Sequence, residues 1–145
     1  MSDPAFRDFT ADAIGKELRR LRRTTGVTGA LLASLDGRAI VSDVYESTPG
    51  AAAAITASSL GLAGRLGDLT DTDAALLELQ ARTTHGYVCL YAVGTDRLLA
   101  VLTDLSVNLA LLKLDVRDAI VALEGLAESA PVVPDAWGRT DAYPT

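Results

Sequence analysis

Between Gly26 and Ile40 the chain reads GVTGALLASLDGRAI. Two extended runs, VTGALLASL (Val27–Leu35) and RAIVSDV (Arg38–Val44), flank the dipeptide Asp36-Gly37. Asp-Gly between such runs is a strong hairpin signal, because a tight turn needs left-handed backbone that glycine adopts without a Cβ penalty. An antiparallel sheet is therefore expected, and the elements on either side of the hairpin must pack on it. Upstream, Ile14, Leu18 and Leu21 recur at helical spacing over about 8–24, with Lys16, Arg19, Arg20 and Arg23 on the opposite face. Gly26 is a natural stop for this helix. Downstream, Pro49 opens a second helical segment that runs to about Leu66.

Beyond the loop GDLTDTD, the run AALLELQ (Ala74–Gln80) reads as a strand. GYVCLYAV (Gly86–Val93) and LLAVLTD (Leu98–Asp104) read as two more, joined by a turn at Gly94-Thr95-Asp96-Arg97. From Asn108 to about Ser129 the helical period returns. Leu109, Leu112, Val116, Ile120, Leu123 and Ala127 share one face, and Asn108 is placed to cap the start. The expected fold is α+β: a single antiparallel five-stranded sheet flanked by helices, in the order α-β-β-α-β-β-β-α. An N-terminal extension (1–10), one domain (11–129) and a proline-rich, flexible C-terminal tail (130–145) make up the expected organisation.

Composition narrows the function classes. A chain of 145 residues with 49% hydrophobic and 22% charged residues fits one globular domain. Folding at this size removes roughly 70% of the unfolded surface from water, enough for a core. The net charge of −6 argues against wrapping nucleic acid. One cysteine, Cys89, excludes an intrachain disulfide or a multi-cysteine zinc site, and one histidine, His85, leaves little for metal or acid–base chemistry. An enzyme is not expected, nor a cofactor or metal. The N-terminus has no apolar secretory run. The uncharged stretch from Ser47 to Gly64 has only Ile55, Leu60 and Leu62 as strong hydrophobes, too few for an integral membrane segment. A cytoplasmic protein is expected. Eleven arginines against two lysines, with abundant alanine and leucine, suggest a GC-rich bacterium.

Searches for site chemistry return bland readings. His85 and Cys89 on one strand would stand roughly 13 Å apart, beyond the reach of a nucleophile–base pair. The glycines of GLAGRLG (Gly61, Gly64, Gly67) close a helix, whereas a phosphate-binding loop must open one. Asp68, Asp71 and Asp73 lack the glycine and glutamate of a calcium loop, since Asp73 and Leu79 hold those places. They read as a solvated acidic loop.

Two features point to partners. The second helix is uncharged nearly all round. Ile55, Leu62 and Leu66 form a stripe expected to face the sheet; Ala53, Ala57, Leu60 and Gly64 lie opposite, with Ala54, Ser58 and Gly61 on a flank. A surface helix should be polar opposite its core stripe. The second covering layer is therefore expected from another protomer, with Ala53, Ala54, Ala57, Ser58, Leu60, Gly61 and Gly64 as the dimer interface. The first helix concentrates the basic charge. Residues 1–25 hold six basic and four acidic side chains, net +2, against seven and fifteen in the remainder, net −8. Its stripe of Lys16, Arg19, Arg20 and Arg23 is the candidate partner-binding site.

GVTGALLASLDGRAI, the small-residue helix after it, and LLAVLTDLSVNLALLKLDVRDAI (Leu98–Ile120) together resemble the Roadblock/LC7 family. The ordered set carries the resemblance: Gly29 before an apolar strand, the Asp36-Gly37 turn, and Asn108-Leu109 opening the last helix. It covers about 11–128. The resemblance implies an architecture related to profilin and longin domains, and dimers in which central helices and neighbouring strands pair into a shared sheet. It also implies a non-enzymatic role: bacterial members act with a small Ras-like GTPase as its regulator, sometimes stimulating hydrolysis. Actinobacterial members commonly occur with a sensor-kinase-like protein, so such a partner is also implied. The alternative is a scaffold or sensor subunit of a signalling complex with no effect on nucleotide turnover. The family supplies no catalytic residue to carry over.

Overall fold

A computed structural model of the chain describes residues 4–44 and 49–129. The elements are α1 (Pro4–Arg22), β1 (Val27–Ser34), β2 (Ala39–Asp43), α2 (Pro49–Gly67), β3 (Glu78–Arg82), β4 (Gly86–Val93), β5 (Arg97–Asp104) and α3 (Leu109–Ser129). The fold class is the expected one: one five-stranded sheet in the order β2-β1-β5-β4-β3, antiparallel at every pairing. The expected tail (130–145) and the first three residues of the expected extension lie outside the described residues.

The hairpin forms where Asp-Gly places it. Gly37 adopts a φ of 94°, in the left-handed region that side-chain-bearing residues avoid. The turn is pinned by Asp36, which accepts from the Ser34 hydroxyl and from Arg38 Nε and Nη2 at 3.2 and 3.0 Å. The Ser34 hydroxyl, with Arg38 beside it, holds the Asp36 carboxyl below the usual carboxylate range.

The central strands β1 and β5 are buried on both faces, and their alternation sorts side chains into two cores. On one face Ala30, Leu32, Leu99 and Val101, with Cys89, Tyr91 and Val93 of β4, pack under α1 and α3. Those helices contribute Ile14, Leu18 and Leu21, and Leu112, Val116, Ala119 and Leu123. On the other face Leu31, Ala33, Leu90, Leu98 and Ala100 meet Ala53, Ala57 and Leu60 of α2. The α3 cap is as expected: Asn108 Oδ1 accepts the backbone N–H of Leu111 at 3.1 Å.

Three expectations are corrected. α1 starts at Pro4 rather than near residue 8. The third strand is Glu78–Arg82, not 74–80, because its length is set by pairing with Tyr87–Tyr91 of β4 and not by its own apolar run. The third concerns α2. Ile55, Leu62 and Leu66 do not face the sheet; they are 66%, 63% and 65% exposed. The helix turns the other side inward, so Ala53, Thr56, Ala57, Leu60 and Ala63 are buried within the chain. Gly37 lets the β1–β2 turn approach α2 closely: a Cβ built there would stand 3.3 Å from the Ala54 Cα.

Candidate partner-binding surfaces

The face of the sheet covered by α2 is one helix short. Five strands spaced by about 4.8 Å make a sheet roughly 20 Å wide, and a helix with side chains covers about 10–12 Å of it. The opposite face has two helices. Here α2 lies over β1 and β2, and the β3–β4 side keeps only partial cover. Leu79 and Val88 there are half-buried, Leu76 beside them likewise, and Leu77 is exposed. On the same face of the sheet α2 leaves the Ile55–Leu62–Leu66 stripe exposed. β3 is an edge strand whose outer backbone edge pairs with no strand among the described residues.

Of the residues expected at a dimer interface, Ala53, Ala57 and Leu60 are packed against the chain's own sheet. Ala54, Ser58 and Gly61 are exposed, and Gly64 is half-buried. The outward surface of α2 is thus Ala54, Ser58 and Gly61 together with Ile55, Leu62 and Leu66. The sequence shows that α2 has two apolar faces, but the face expected against the sheet is the exposed one and the Ala53–Ala57–Leu60 face is buried there instead. Nothing in the local sequence ranks a stripe of Leu and Ile below a stripe of Ala for core burial.

The second surface is the outer side of the α1–α3 layer. Lys16, Arg19, Arg20 and Arg23 are all exposed, as expected, and carry no ion pair among the described residues. Arg22, on the other side of α1, instead reaches β2, where its Nη1 lies 2.9 Å from Asp43 Oδ1. Gly26, with φ 92°, brings the end of α1 beside the start of α3: a Cβ there would meet the Val107 backbone at 2.6 Å. Between the helices runs a groove of about 430 Å³. Glu17, Arg20, Leu21, Arg23, Thr24 and Thr25 of α1 and its C-terminal loop face Leu111, Asp115, Asp118 and Ala119 of α3 across it. Thr24 Oγ1 donates to Asp115 Oδ2 at 2.7 Å.

The remaining candidates are kept apart by the fold. Cys89 is buried inside β4, and burial pushes its thiol pKa up, away from nucleophilic character. His85 is exposed in the β3–β4 turn, its backbone N–H donating to Thr83 Oγ1 at 3.1 Å. Asp68, Asp71 and Asp73 are exposed in the loop after α2, with the Asp73 N–H donating to Asp71 Oδ1 at 2.9 Å. Among the described residues there is no group of three or more His, Cys, Asp or Glu able to hold a metal ion. No helix among them is long and apolar enough to cross a membrane.

This combination of a five-stranded sheet, two helices on one face and one on the other defines the class. The Roadblock/LC7 domain model matches residues 14–103, and the chain belongs to that family. No curated protein matches. Among solved structures the chain is similar to MglB of Myxococcus xanthus, at 21% identity and a TM-score of 0.76, covering 89% of this chain and 94% of that one. It is similar to a Roadblock/LC7 domain of Streptomyces avermitilis, at 16% identity and 0.73, covering 79% and 97%. The expected likeness of architecture to profilin is also present: profilin IB of Acanthamoeba castellanii gives 12% identity and a TM-score of 0.57 over 81% of this chain and 98% of that one.

Proposed function

We propose that this protein is a non-enzymatic, cytoplasmic homodimer that regulates a small Ras-like GTPase in bacterial signalling. The observation that carries the homodimer is the α2 face. A sheet covered by two helices on one side and one on the other has room for a second α2 beside the first, and the Ile55–Leu62–Leu66 stripe is exposed among the described residues. In the proposed two-fold dimer each copy's α2 would cover part of the other's partly open strip, with the two β3 edges brought together. The interface is therefore drawn on Ala54, Ile55, Ser58, Gly61, Leu62 and Leu66.

Family membership supports the regulatory role, and the buried Cys89 and solvated His85 are consistent with a protein that works by docking. The basic stripe of Lys16, Arg19, Arg20 and Arg23 lies on the face opposite α2, so it stays open in this dimer and offers complementary charge to an acidic patch on the GTPase. A sensor-kinase-like protein is a further partner of the same assembly. The test is GTP hydrolysis by the cognate GTPase, measured with and without this chain, together with capture of that GTPase in its GDP and GTP-analogue states. Faster hydrolysis, or capture that depends on the nucleotide, supports the regulator. Stable capture indifferent to nucleotide, with unchanged hydrolysis, replaces it with a scaffold or sensor subunit.

A further inference from the structure

α3 carries a second apolar row on the side turned away from the sheet. Leu112, Val116, Ala119 and Leu123 are its buried side. Away from them Leu111, Leu114 and Val121 are 49%, 58% and 68% exposed, at helical spacings that keep them on one strip. Gly125 continues the strip one turn further, with open space where a Cβ would stand. Single exposed leucines are ordinary, but two apolar rows on one helix are the pattern of a helix covered on two sides. Arg117 borders the strip, is exposed, and makes no ion pair among the described residues.

The sequence that follows α3 carries complementary groups at matching distances. α3 ends at Ser129, and Pro131, which lacks an N–H, cannot extend it. Residues 130–145, outside the described residues, read APVVPDAWGRTDAYPT. Counted back from Ser129 at a helix's rise, Val121 stands roughly 12 Å away, Arg117 about 18 Å, Leu114 about 22 Å and Leu111 about 27 Å. Counted forward along extended backbone, Val133 reaches roughly 13 Å, Asp135 about 19 Å and Trp137 about 26 Å. A return along the helix therefore sets Val133 over Val121, Asp135 beside Arg117, and Trp137 over Leu114 and Leu111. We infer that residues 131–137 run back along α3 and cover the Leu111–Leu114–Val121 strip, with the Trp137 indole as the anchor and an Asp135–Arg117 ion pair fixing the register. The inference requires neither the GTPase nor the second copy, so its failure leaves the preceding proposal standing.

Trp137 is the only tryptophan of the chain, so its fluorescence reports on this segment alone. The experiment compares emission and acrylamide quenching of the full chain with those of the free peptide spanning 130–145. The expected result is a blue-shifted emission and weaker quenching in the full chain, unchanged on dilution and in Leu62→Glu. Leu114→Glu combined with Val121→Glu, at exposed positions, should return both readings to the peptide values while the far-UV circular dichroism is kept. As a second measurement, ending the 15N-labelled chain at Ser129 should shift amides within 110–125 and leave α2 unmoved. Wild-type readings equal to those of the peptide, shielding that survives both glutamates, or no shift on truncation would overturn the inference. Shielding lost on dilution or in Leu62→Glu would overturn it too, giving the strip to a second copy.

Discussion

Gly26 shows how much rests on one residue. Its φ of 92° turns the chain from α1 into β1, and the space a Cβ would need is filled by the Val107 backbone at 2.6 Å. Strain and clash act together at Gly26→Ala, so a loss of roughly 2–4 kcal/mol is expected in chemical denaturation. Asn108 is a milder case. Its Oδ1 satisfies the Leu111 N–H at the head of α3, so Asn108→Ala should cost about 1 kcal/mol and Asn108→Ser much less. Asp36 adds a pH term. Its folded-state carboxyl titrates below its unfolded value, so its contribution is present above about pH 4 and lost as pH falls through the folded value. Asp36→Asn should flatten the acid limb of stability against pH, and an unchanged limb would show the turn contributes nothing there. Cys89 and His85 do not share a strand: the thiol is buried in β4 and the imidazole is exposed in the β3–β4 turn. The groove between α1 and α3 had no signal in the sequence, since it forms only where two helices from opposite ends of the domain pack side by side.

The elements that local pattern determines were legible. The Asp36-Gly37 hairpin, β4, β5 and the capped α3 follow from turn chemistry, period and capping, each of which acts within a few residues. β3 was not, because its ends are set by the β4 register, a contact outside its own run. α2 is the instructive failure. That α2 is apolar all round is legible in the sequence, but which side meets the chain's own sheet is decided by packing on strands outside the helix. Here Ala53 and Ala57 permit the close contact, and the bulkier Ile55, Leu62 and Leu66 are left outward. The two sides are separable by mutation. Ala57→Asp, at a position only 8% exposed and packed on the sheet, should unfold the domain. Leu62→Glu should leave the circular dichroism and the thermal transition of the monomer intact while removing the dimer.

For the whole molecule, exposed apolar side chains of α2 and the basic stripe of α1 lie on opposite faces, which the proposed function assigns to a second copy and to a partner. Reversing Arg19, Arg20 and Arg23 to glutamate should weaken capture of the GTPase by roughly ten- to a hundredfold at low salt, and the wild-type affinity should fall as salt rises. Neither change should alter the dimer. The central claim is that the open half of the α2 face is covered by another copy, and the molar mass in solution tests it most directly. Light scattering coupled to size exclusion at micromolar concentration should return twice the 15.1 kDa chain mass for the wild type and the single-chain mass for Leu62→Glu. A wild-type mass of one chain, or a dimer indifferent to Leu62→Glu and Leu66→Glu together, would contradict it.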